Sequence, residues 1–198
     1  MIIGIDLDNT IISYDAAFIS AARSNNIPVR AGNKKELRDK IRRLENGENL
    51  WQKLQREVYG RRFMEAEIKK GFKEFITAGK KRKAQIYIVS HKTQYLSSDK
   101  KINIRKNALE FLRQKGFFEK PIALSEADIY FEATRKAKIA RIRRLNCDYF
   151  IDDLEEVLSD RDFPANTARI LLGENTADLA DSVIVIKDWY AITKYIFA

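Results

Sequence analysis

The second half of the chain alternates between two kinds of segment, and few folds are compatible with this alternation. Short runs of apolar and β-branched residues are followed by stretches in which apolar residues recur at helical spacing. Strands that alternate with helices form a parallel sheet with helices on both faces. The predicted strands lie at residues 1–7, 84–89, 122–124, 149–151, 168–172 and 183–186. The predicted helices of this part lie at about 102–115, 134–146 and 188–196.

A helical block interrupts the alternation between the first two strands. Apolar residues recur at helical spacing over residues 14–25 and again from 34 to 75, and Gly47 and Gly60 separate the individual runs. We therefore predict an α/β core formed by residues 1–13 and 81–198, with a helical cap inserted at residues 14–80.

The positive charge of the chain is concentrated in the same block. The net charge is +9, but residues 23–83 contain 19 lysines and arginines against 8 acidic residues, whereas the remainder holds 18 basic and 20 acidic residues. Three interpretations of this block remain open: solvated helix faces, a positive lid that steers an anionic substrate, or a nucleic-acid surface. No sequence motif of a nucleic-acid-binding module accompanies the charge, so a nucleic-acid partner is the weakest of the three.

Cysteine usage and hydropathy indicate the compartment. Cys147 is the only cysteine, so the chain cannot form an internal disulfide. The chain shows neither a signal-peptide pattern nor a run of about 18 apolar residues. We therefore expect a cytoplasmic protein without a membrane partner. The sequence does not indicate an oligomeric state.

Polar side chains follow three of the predicted strands at the point where each strand ends. Asp6 and Asp8 follow the first strand, Ser90 follows the second, and Asp152 and Asp153 follow the fourth. The carboxyl ends of parallel strands meet at one edge of the sheet, where ligands bind in open α/β folds. Carboxylates at such an edge require a cation, and their hard oxygens favour magnesium. The sequence thus predicts a Mg²⁺ site.

Phosphoryl transfer is the chemistry that uses these groups together. A carboxylate attacks phosphorus and forms an aspartyl-phosphate, a role that suits Asp6. Asp8, two residues further along, can protonate the leaving oxygen and later deprotonate water. The hydroxyl of Ser90 and nearby backbone amides are suited to hold phosphoryl oxygens, and a lysine is needed to offset the negative charge.

The order and spacing of these residues resemble the haloacid-dehalogenase-like (HAD) hydrolases. The first motif of that superfamily resembles Asp6-Leu7-Asp8-Asn9-Thr10, the second Val89-Ser90, the third Lys138, and the fourth Phe150-Ile151-Asp152-Asp153. The resemblance implies a Rossmann-like, three-layer α/β/α core with a mostly parallel sheet and a small all-α helical cap. Superfamily members with a second aspartate at the position of Asp8 are mostly phosphatases or phosphotransferases. Asn9 stands where glycine is commoner.

The resemblance also implies roles for single residues. Asp6 would be the nucleophile and Asp8 the acid/base. The metal would be held by the Asp6 side chain, the Asp8 backbone carbonyl and Asp153, with Asp152 sharing the metal or lying behind it. Ser90 and Lys138 would bind phosphate, with Lys136 as the alternative lysine. Thr10 would help to orient the acid/base.

The only histidine, His91, directly follows Ser90, so we expect it near the phosphate. The predicted function is a Mg²⁺-dependent phosphatase that acts on a small phosphorylated metabolite of the sugar-, amino-alcohol- or nucleotide-phosphate type. Two alternatives stay open: a nucleic-acid end-processing phosphatase that uses the basic cap, and a non-catalytic phosphate-responsive scaffold.

Overall fold

A computed structural model describes residues 1–174 and 182–198, and it contains a six-stranded sheet with the order β10-β9-β8-β1-β4-β7. Every neighbouring pair in this sheet is parallel. Two short antiparallel ribbons, β2 with β3 and β5 with β6, lie outside it. The strands are β1 (Ile2–Ile5), β2 (Ile12–Ser13), β3 (Glu67–Ile68), β4 (Gln85–His91), β5 (Tyr95–Leu96), β6 (Asp99–Asn103), β7 (Ile129–Glu132), β8 (Tyr149–Asp152), β9 (Ala168–Leu172) and β10 (Val183–Ile186).

The helices connect the strands and begin at polar caps in several cases. Thr134 and Asp188, for example, each accept a hydrogen bond from the backbone amide three residues further on. None of the helices in the described parts of the chain combines the length and hydropathy needed to cross a bilayer. The helices are α1 (Asp15–Ser24), α2 (Lys34–Ile41), α3 (Gly47–Gly60), α4 (Phe72–Lys81), α5 (Ile104–Gln114), α6 (Arg135–Arg144), α7 (Glu155–Leu158) and α8 (Trp189–Phe197).

Successive strand residues enter two different hydrophobic clusters, one on each face of the sheet. Ile88 and Ile151 belong to the larger cluster, which α4 and α8 cover. Their neighbours Val89 and Phe150 belong to the smaller cluster, together with apolar residues of α6 and α7. This alternation is the period of a strand buried on both faces. The predicted three-layer, Rossmann-like α/β/α core with a parallel sheet is therefore confirmed.

Gly4 in the central strand β1 allows the smaller cluster to pack closely. A Cβ atom at this position would lie 2.6 Å from the Phe150 ring and 2.9 Å from Cys147 Sγ. Any larger residue would push β8 away from β1 and so disturb the sheet edge that follows both strands.

The insertion after β1 packs around aromatic residues of its own. Phe18 of α1 stacks on Trp51 of α3 with ring centroids 4.8 Å apart, and Tyr59 meets Phe18 edge-on at 5.6 Å. The ribbon of β2 and β3 lies at its base, with Ile12 opposite Ile68. The inserted part is thus helical except for this ribbon.

Helix α4, which the prediction placed in the cap at 14–80, has the contacts of a core helix. Its Phe72 lies 4.8 Å from Trp189 of α8, and Phe75 lies 5.2 Å from Phe197, measured between ring centroids. The buried residues of α4 follow Gly71 at helical spacing and therefore lie on one face of the helix. This apolar face packs against α8 and the sheet. These contacts join α4 to the core, and the predicted end of the cap at residue 80 stays a prediction.

The strand predicted at 122–124 is wrong. Ile122 and Leu124 are buried, but Ala123 between them has a φ of 42°, which an extended strand does not allow. The edge strand is instead β7, which pairs with β4 through Ser90 and Phe131. Apolar residues alone do not distinguish a buried turn from a short strand.

Candidate active site

Three aspartates meet at the carboxyl edge of the sheet. Strands β1 and β8 are parallel neighbours with Ile5 opposite Ile151, so Asp6 leaves β1 beside Asp152. One carboxylate oxygen from each of Asp6, Asp152 and Asp153 lies within 4.8 Å of the other two. Asp6 is 4% exposed and Asp152 is fully buried. Carboxylates so close and so poorly hydrated repel one another unless a cation compensates them.

Lys138 supplies part of that compensation. Its ammonium group donates to Asp6 Oδ1 at 2.6 Å and to Asp152 Oδ2 at 2.7 Å, and its side chain is completely buried. Burial lowers the pKa of Lys138, but the two carboxylates outweigh it and hold the pKa above its usual range. Helix α6 starts directly after Thr134, which points Lys138 inward and leaves Lys136 exposed. Lys138 and not Lys136 therefore contacts the aspartates.

One lysine does not neutralise three carboxylates, and their pKa values show the imbalance. Burial raises the pKa of Asp6 to about 7, and the charges of Asp152 and Asp8 act in the same direction against Lys138. Burial and the charge of Asp6 raise the pKa of Asp153 to about 6. Burial also raises the pKa of Asp152, although Lys138 opposes it. The cluster would be stabilised in its ionised form by a further cation.

Asp8 stands apart from this cluster and forms its own ion pair. The ammonium group of Lys92 lies 2.5 Å from Asp8 Oδ2. Burial raises the pKa of Asp8, but Lys92 and the charge of Lys34 outweigh it, so the pKa lies below its usual range. Asn9, which follows, has a φ of 59°, a left-handed conformation that asparagine tolerates almost as glycine does. This explains why asparagine can occupy a position where glycine is commoner.

Thr10 links the turn after β1 to the end of β8. Its hydroxyl donates to Asp153 Oδ1 at 3.1 Å, and its carbonyl accepts the indole N–H of Trp189 at 2.9 Å. Thr10 therefore orients Asp153, whereas its predicted partner was the acid/base Asp8. The Asp8 side chain instead has Lys92 as its hydrogen-bond partner.

The comparisons with known proteins address the fold. No protein-family model matches the sequence, and none of the curated proteins compared with it does either. Solved structures do match, over almost the whole chain. A haloacid dehalogenase-like hydrolase of Streptococcus pneumoniae has 13% identity and a TM-score of 0.60, covering 98% of this chain and 97% of its own. A predicted phosphatase of Clostridium acetobutylicum gives the same values. Protein tyrosine kinase A of Mycobacterium tuberculosis has 14% identity and a TM-score of 0.64, covering 100% and 98%.

This chain has the HAD fold. At these identities the likeness describes the architecture, and the activities in those names belong to those proteins. Within the HAD fold the residues after β1, β4 and β8 lie at one edge, which is where this chain places Asp6, Ser90 and Asp152.

The donor set of the cluster fits a hard divalent cation. Carboxylate oxygens are the ligands that Mg²⁺ prefers, and three of them lie close enough to share one ion. Asp152 already uses both oxygens, Oδ2 with Lys138 and Oδ1 with the Leu154 amide at 3.0 Å. Asp6 and Asp153 are therefore the better ligands. The backbone carbonyl of Asp8 stays a predicted ligand, and the Asp8 side chain is not part of this group.

Ser90 and His91 differ in their surroundings. Ser90 is 1% exposed at the end of β4, the strand beside β1. His91 is exposed and, since side chains alternate across a strand, points to the other side from Ser90. The place of His91 near the phosphate stays a prediction. Lys92, one residue further, contacts Asp8.

The sequence did not assign a role to three lysines that lie near the site. Lys92 is 4% exposed, and only its position two residues after Ser90 signalled a role. Lys34 of the cap lies 2.9 Å from the Tyr59 hydroxyl and acts on the charges of Asp8 and Asp153. Lys69 also acts on Asp153, and burial lowers the pKa of its ammonium group. No sequence signal could identify Lys34 and Lys69, since their proximity depends on how the cap folds back.

Replacing Lys92 by methionine should raise the pKa of Asp8. The variant removes the ammonium group that lowers this pKa and leaves the burial that raises it. A ¹³C NMR titration of the aspartate carboxyls measures the change, with the Asp8 signal assigned from an Asp8→Asn spectrum. Lys136→Met, at an exposed position of α6, is the matched control and should leave the titration unchanged. An unshifted Asp8 in Lys92→Met would contradict the ion pair.

Replacing Asp153 by asparagine should stabilise the metal-free protein at pH 7.5 by about 3 kcal/mol. The folded-state pKa of Asp153, about 6, lies above the usual value of 3.8, so its contribution to stability is present below pH 4 and is lost as the pH rises to 6. Asparagine avoids this loss, and the two proteins should become equal near pH 4. Denaturant unfolding in EDTA measures the difference. Asp162→Asn, at an exposed carboxyl, should show no such gain; a less stable Asp153→Asn protein at pH 7.5 would refute the prediction.

Proposed function

We propose that this chain is a Mg²⁺-dependent phosphatase that hydrolyses a small phosphomonoester through an aspartyl-phosphate on Asp6. The observation that carries the proposal is the buried Lys138 held between Asp6 and Asp152, with Asp153 adjacent and Asp8 two residues away. One carboxylate is enough to pair with one lysine in a purely structural ion pair. Here three carboxylates surround a single lysine, and they lie at the sheet edge where α/β folds bind ligands.

Asp6 is suited to be the nucleophile because one of its oxygens is fixed. Lys138 holds Oδ1, which leaves Oδ2 to form the bond to phosphorus while the ester P–O bond breaks. The departing oxygen takes a proton from Asp8. In the second half, water attacks the same phosphorus, its proton passes to Asp8, and the bond from phosphorus to Asp6 breaks.

Lys92 sets the protonation of Asp8 in this cycle. In the ion pair Asp8 is ionised, which suits it to accept the proton of water but not to donate one. A phosphoryl dianion that enters beside Asp6 competes with Asp8 for Lys92. Once Lys92 turns to the phosphate, burial favours a protonated Asp8, and this form can donate to the leaving group.

Magnesium held by Asp6 and Asp153 would supply positive charge to the phosphoryl oxygens. Three side chains have roles that do not involve the metal ion directly. Lys138 fixes Asp6, Thr10 fixes Asp153, and Ser90 offers a hydroxyl on the next strand. The single cysteine and the absence of a spanning helix among the described residues support action in the cytoplasm.

The enclosure of the site supports a small substrate. Asp6 and Ser90 are almost completely buried, and Lys34, which contacts the Tyr59 hydroxyl, is close enough to lower the pKa of Asp8. A substrate enters only if the cap moves, and a closed cap excludes bulky leaving groups. A sugar, amino-alcohol or nucleotide phosphate meets this restriction, whereas the end of a nucleic-acid duplex does not.

A phosphate-release assay over a panel of small phosphomonoesters tests the proposal. Wild-type protein should release phosphate from at least one ester with Mg²⁺ and not with EDTA, and Asp6→Asn should release none. Asp162→Asn is the control for a lost surface carboxylate and should match the wild type. Equal rates for wild type and Asp6→Asn, or no release from any ester, would count against the proposal.

A further inference from the structure

A cavity of about 800 Å³ lies between α3 and the segment formed by β6 and α5, and none of the clustered aspartates lines it. Helix α3 forms one wall, and β6 with the first turn of α5 forms the other. The volume is that of a small-molecule site rather than of an extended track. Its walls are polar: the lining includes Lys53, Arg56 and Arg61 on the cap side, and Lys101 and Lys106 on the core side.

These five cations have no partners that would explain their grouping. None of them forms an ion pair or donates a side-chain hydrogen bond within residues 1–174 and 182–198. The two acids of the cavity wall are engaged elsewhere. Glu57 accepts from Arg62 at 2.9 Å and from Asn25 at 2.7 Å, and Asp99 accepts from the Lys101 amide at 2.9 Å. Glu57 is thus paired with a cation outside the cavity, and Asp99 is the one lining carboxylate that offsets the five cations, so the lining keeps an excess of positive charge.

Positive side chains also face each other across the cavity. Direct contacts join the two walls at Asn107, which donates to the Tyr59 carbonyl at 2.7 Å, and at Gly60, which packs on Ile102. Like charges on facing walls weaken this junction, and an anion between them would strengthen it. Tyr95, 38% exposed, adds an aromatic ring to the core wall.

We propose that this cavity binds a small ligand with a chain of two or three phosphates. A single phosphate carries a charge between −1.5 and −2 near neutral pH, so one group does not match five cations, whereas an oligophosphate does. The ring of Tyr95 suits a nucleoside attached to that chain. The ligand would contact cap and core at once and would hold α3 against α5. None of the proposed catalytic residues lines this cavity, so the inference is independent of the phosphatase proposal.

Titration calorimetry with inorganic tripolyphosphate, in EDTA and at low salt, tests the inference. The wild type should bind one equivalent, and ATP should compete. Arg56→Gln/Lys106→Gln should weaken binding by about tenfold or more, because it removes a cation from each wall. Lys53→Gln/Lys101→Gln, which also takes one from each wall, should do the same and serves if the first pair folds poorly. Lys81→Gln/Lys136→Gln, which changes net charge equally at exposed positions, should stay within about twofold of the wild type.

Three results would overturn the inference. The first is a wild type that does not bind tripolyphosphate. The second is binding that survives in both cavity variants but is lost in Ser90→Ala, since the ligand would then occupy the site beside Asp6. The third is a single-stranded oligonucleotide that binds at least about tenfold more tightly than tripolyphosphate, because an extended basic surface would then be the better description. Circular dichroism of each variant establishes that it is folded.

Discussion

Replacing Lys138 by methionine should destabilise the protein by about 3–5 kcal/mol at pH 7.5 in the absence of metal. The variant leaves Asp6 and Asp152 buried, close together and without the cation that now contacts both at 2.6 and 2.7 Å. Methionine fills a similar volume, so the loss is mainly electrostatic. Denaturant unfolding in EDTA measures it, with Lys136→Met, on the exposed side of the same helix, expected to remain within about 0.5 kcal/mol of the wild type.

The pH dependence distinguishes this electrostatic loss from a packing defect. Without Lys138 the pKa values of Asp6 and Asp152 rise further, because burial and mutual repulsion are no longer opposed. The folded variant then holds protons that the unfolded chain releases above pH 4, so its deficit is small near pH 4 and grows towards pH 7 and beyond. Adding Asp152→Asn should restore a large part of the stability. A deficit that is constant with pH, and that Asp152→Asn does not reduce, would show that Lys138 acts by packing alone.

The site was predictable from sequence to the extent that it depends on strand ends. Asp6, Ser90 and Asp152 each follow an apolar run, and parallel strands bring such positions to one edge whatever the details of packing. These three positions need only the direction of the chain. Lys138 could be proposed only through the resemblance to the HAD hydrolases, from its spacing to Asp152.

The remainder of the site depends on packing that no periodicity reveals. Lys34 reaches Asp8 only because its ammonium group lies among Tyr14, Phe18 and Tyr59, at 5.2 to 5.6 Å from their ring centroids. The strand at 122–124 was wrong for a related reason, since Ile122 and Leu124 are buried in a turn. Hydrophobicity predicts burial there, but a single left-handed residue decides the backbone conformation.

The basic block of the cap divides in the structure into cations with different surroundings. Lys34 and Lys69 act on the charges of the aspartates, whereas Lys53, Arg56 and Arg61 line the cavity between α3 and α5. Others are paired at the surface, such as Arg62 with Glu57 and Lys40 with Glu36. Steering of an anion, binding of a second anion and ordinary solvation are therefore separate proposals for different residues of the block.

Replacing Asp8 by asparagine should make the phosphoenzyme accumulate. Asparagine cannot take the proton of water, so the second half of the reaction should slow by about 10²–10⁴-fold. The first half of the reaction, the transfer of the phosphoryl group to Asp6, depends on Asp8 only when the leaving oxygen needs a proton. With an ester of an acidic phenol, which leaves without one, the variant should still transfer its phosphoryl group to Asp6. The expected result is a burst of phenol close to one equivalent, followed by slow turnover.

Mass spectrometry of acid-quenched protein should then locate one phosphate on the peptide that contains Asp6. Asp6→Asn/Asp8→Asn should show neither burst nor label, which establishes the acceptor. Asp152→Asn serves as a second comparison, because Asp152 contacts Lys138 but is not proposed to transfer a proton, and it should show no accumulation. If the label lay elsewhere, or if Asp8→Asn turned over without a burst, Asp8 would not be the base of the second step. The short distance from Asp8 to Lys92 would then indicate a structural ion pair, and another group would have to activate the water.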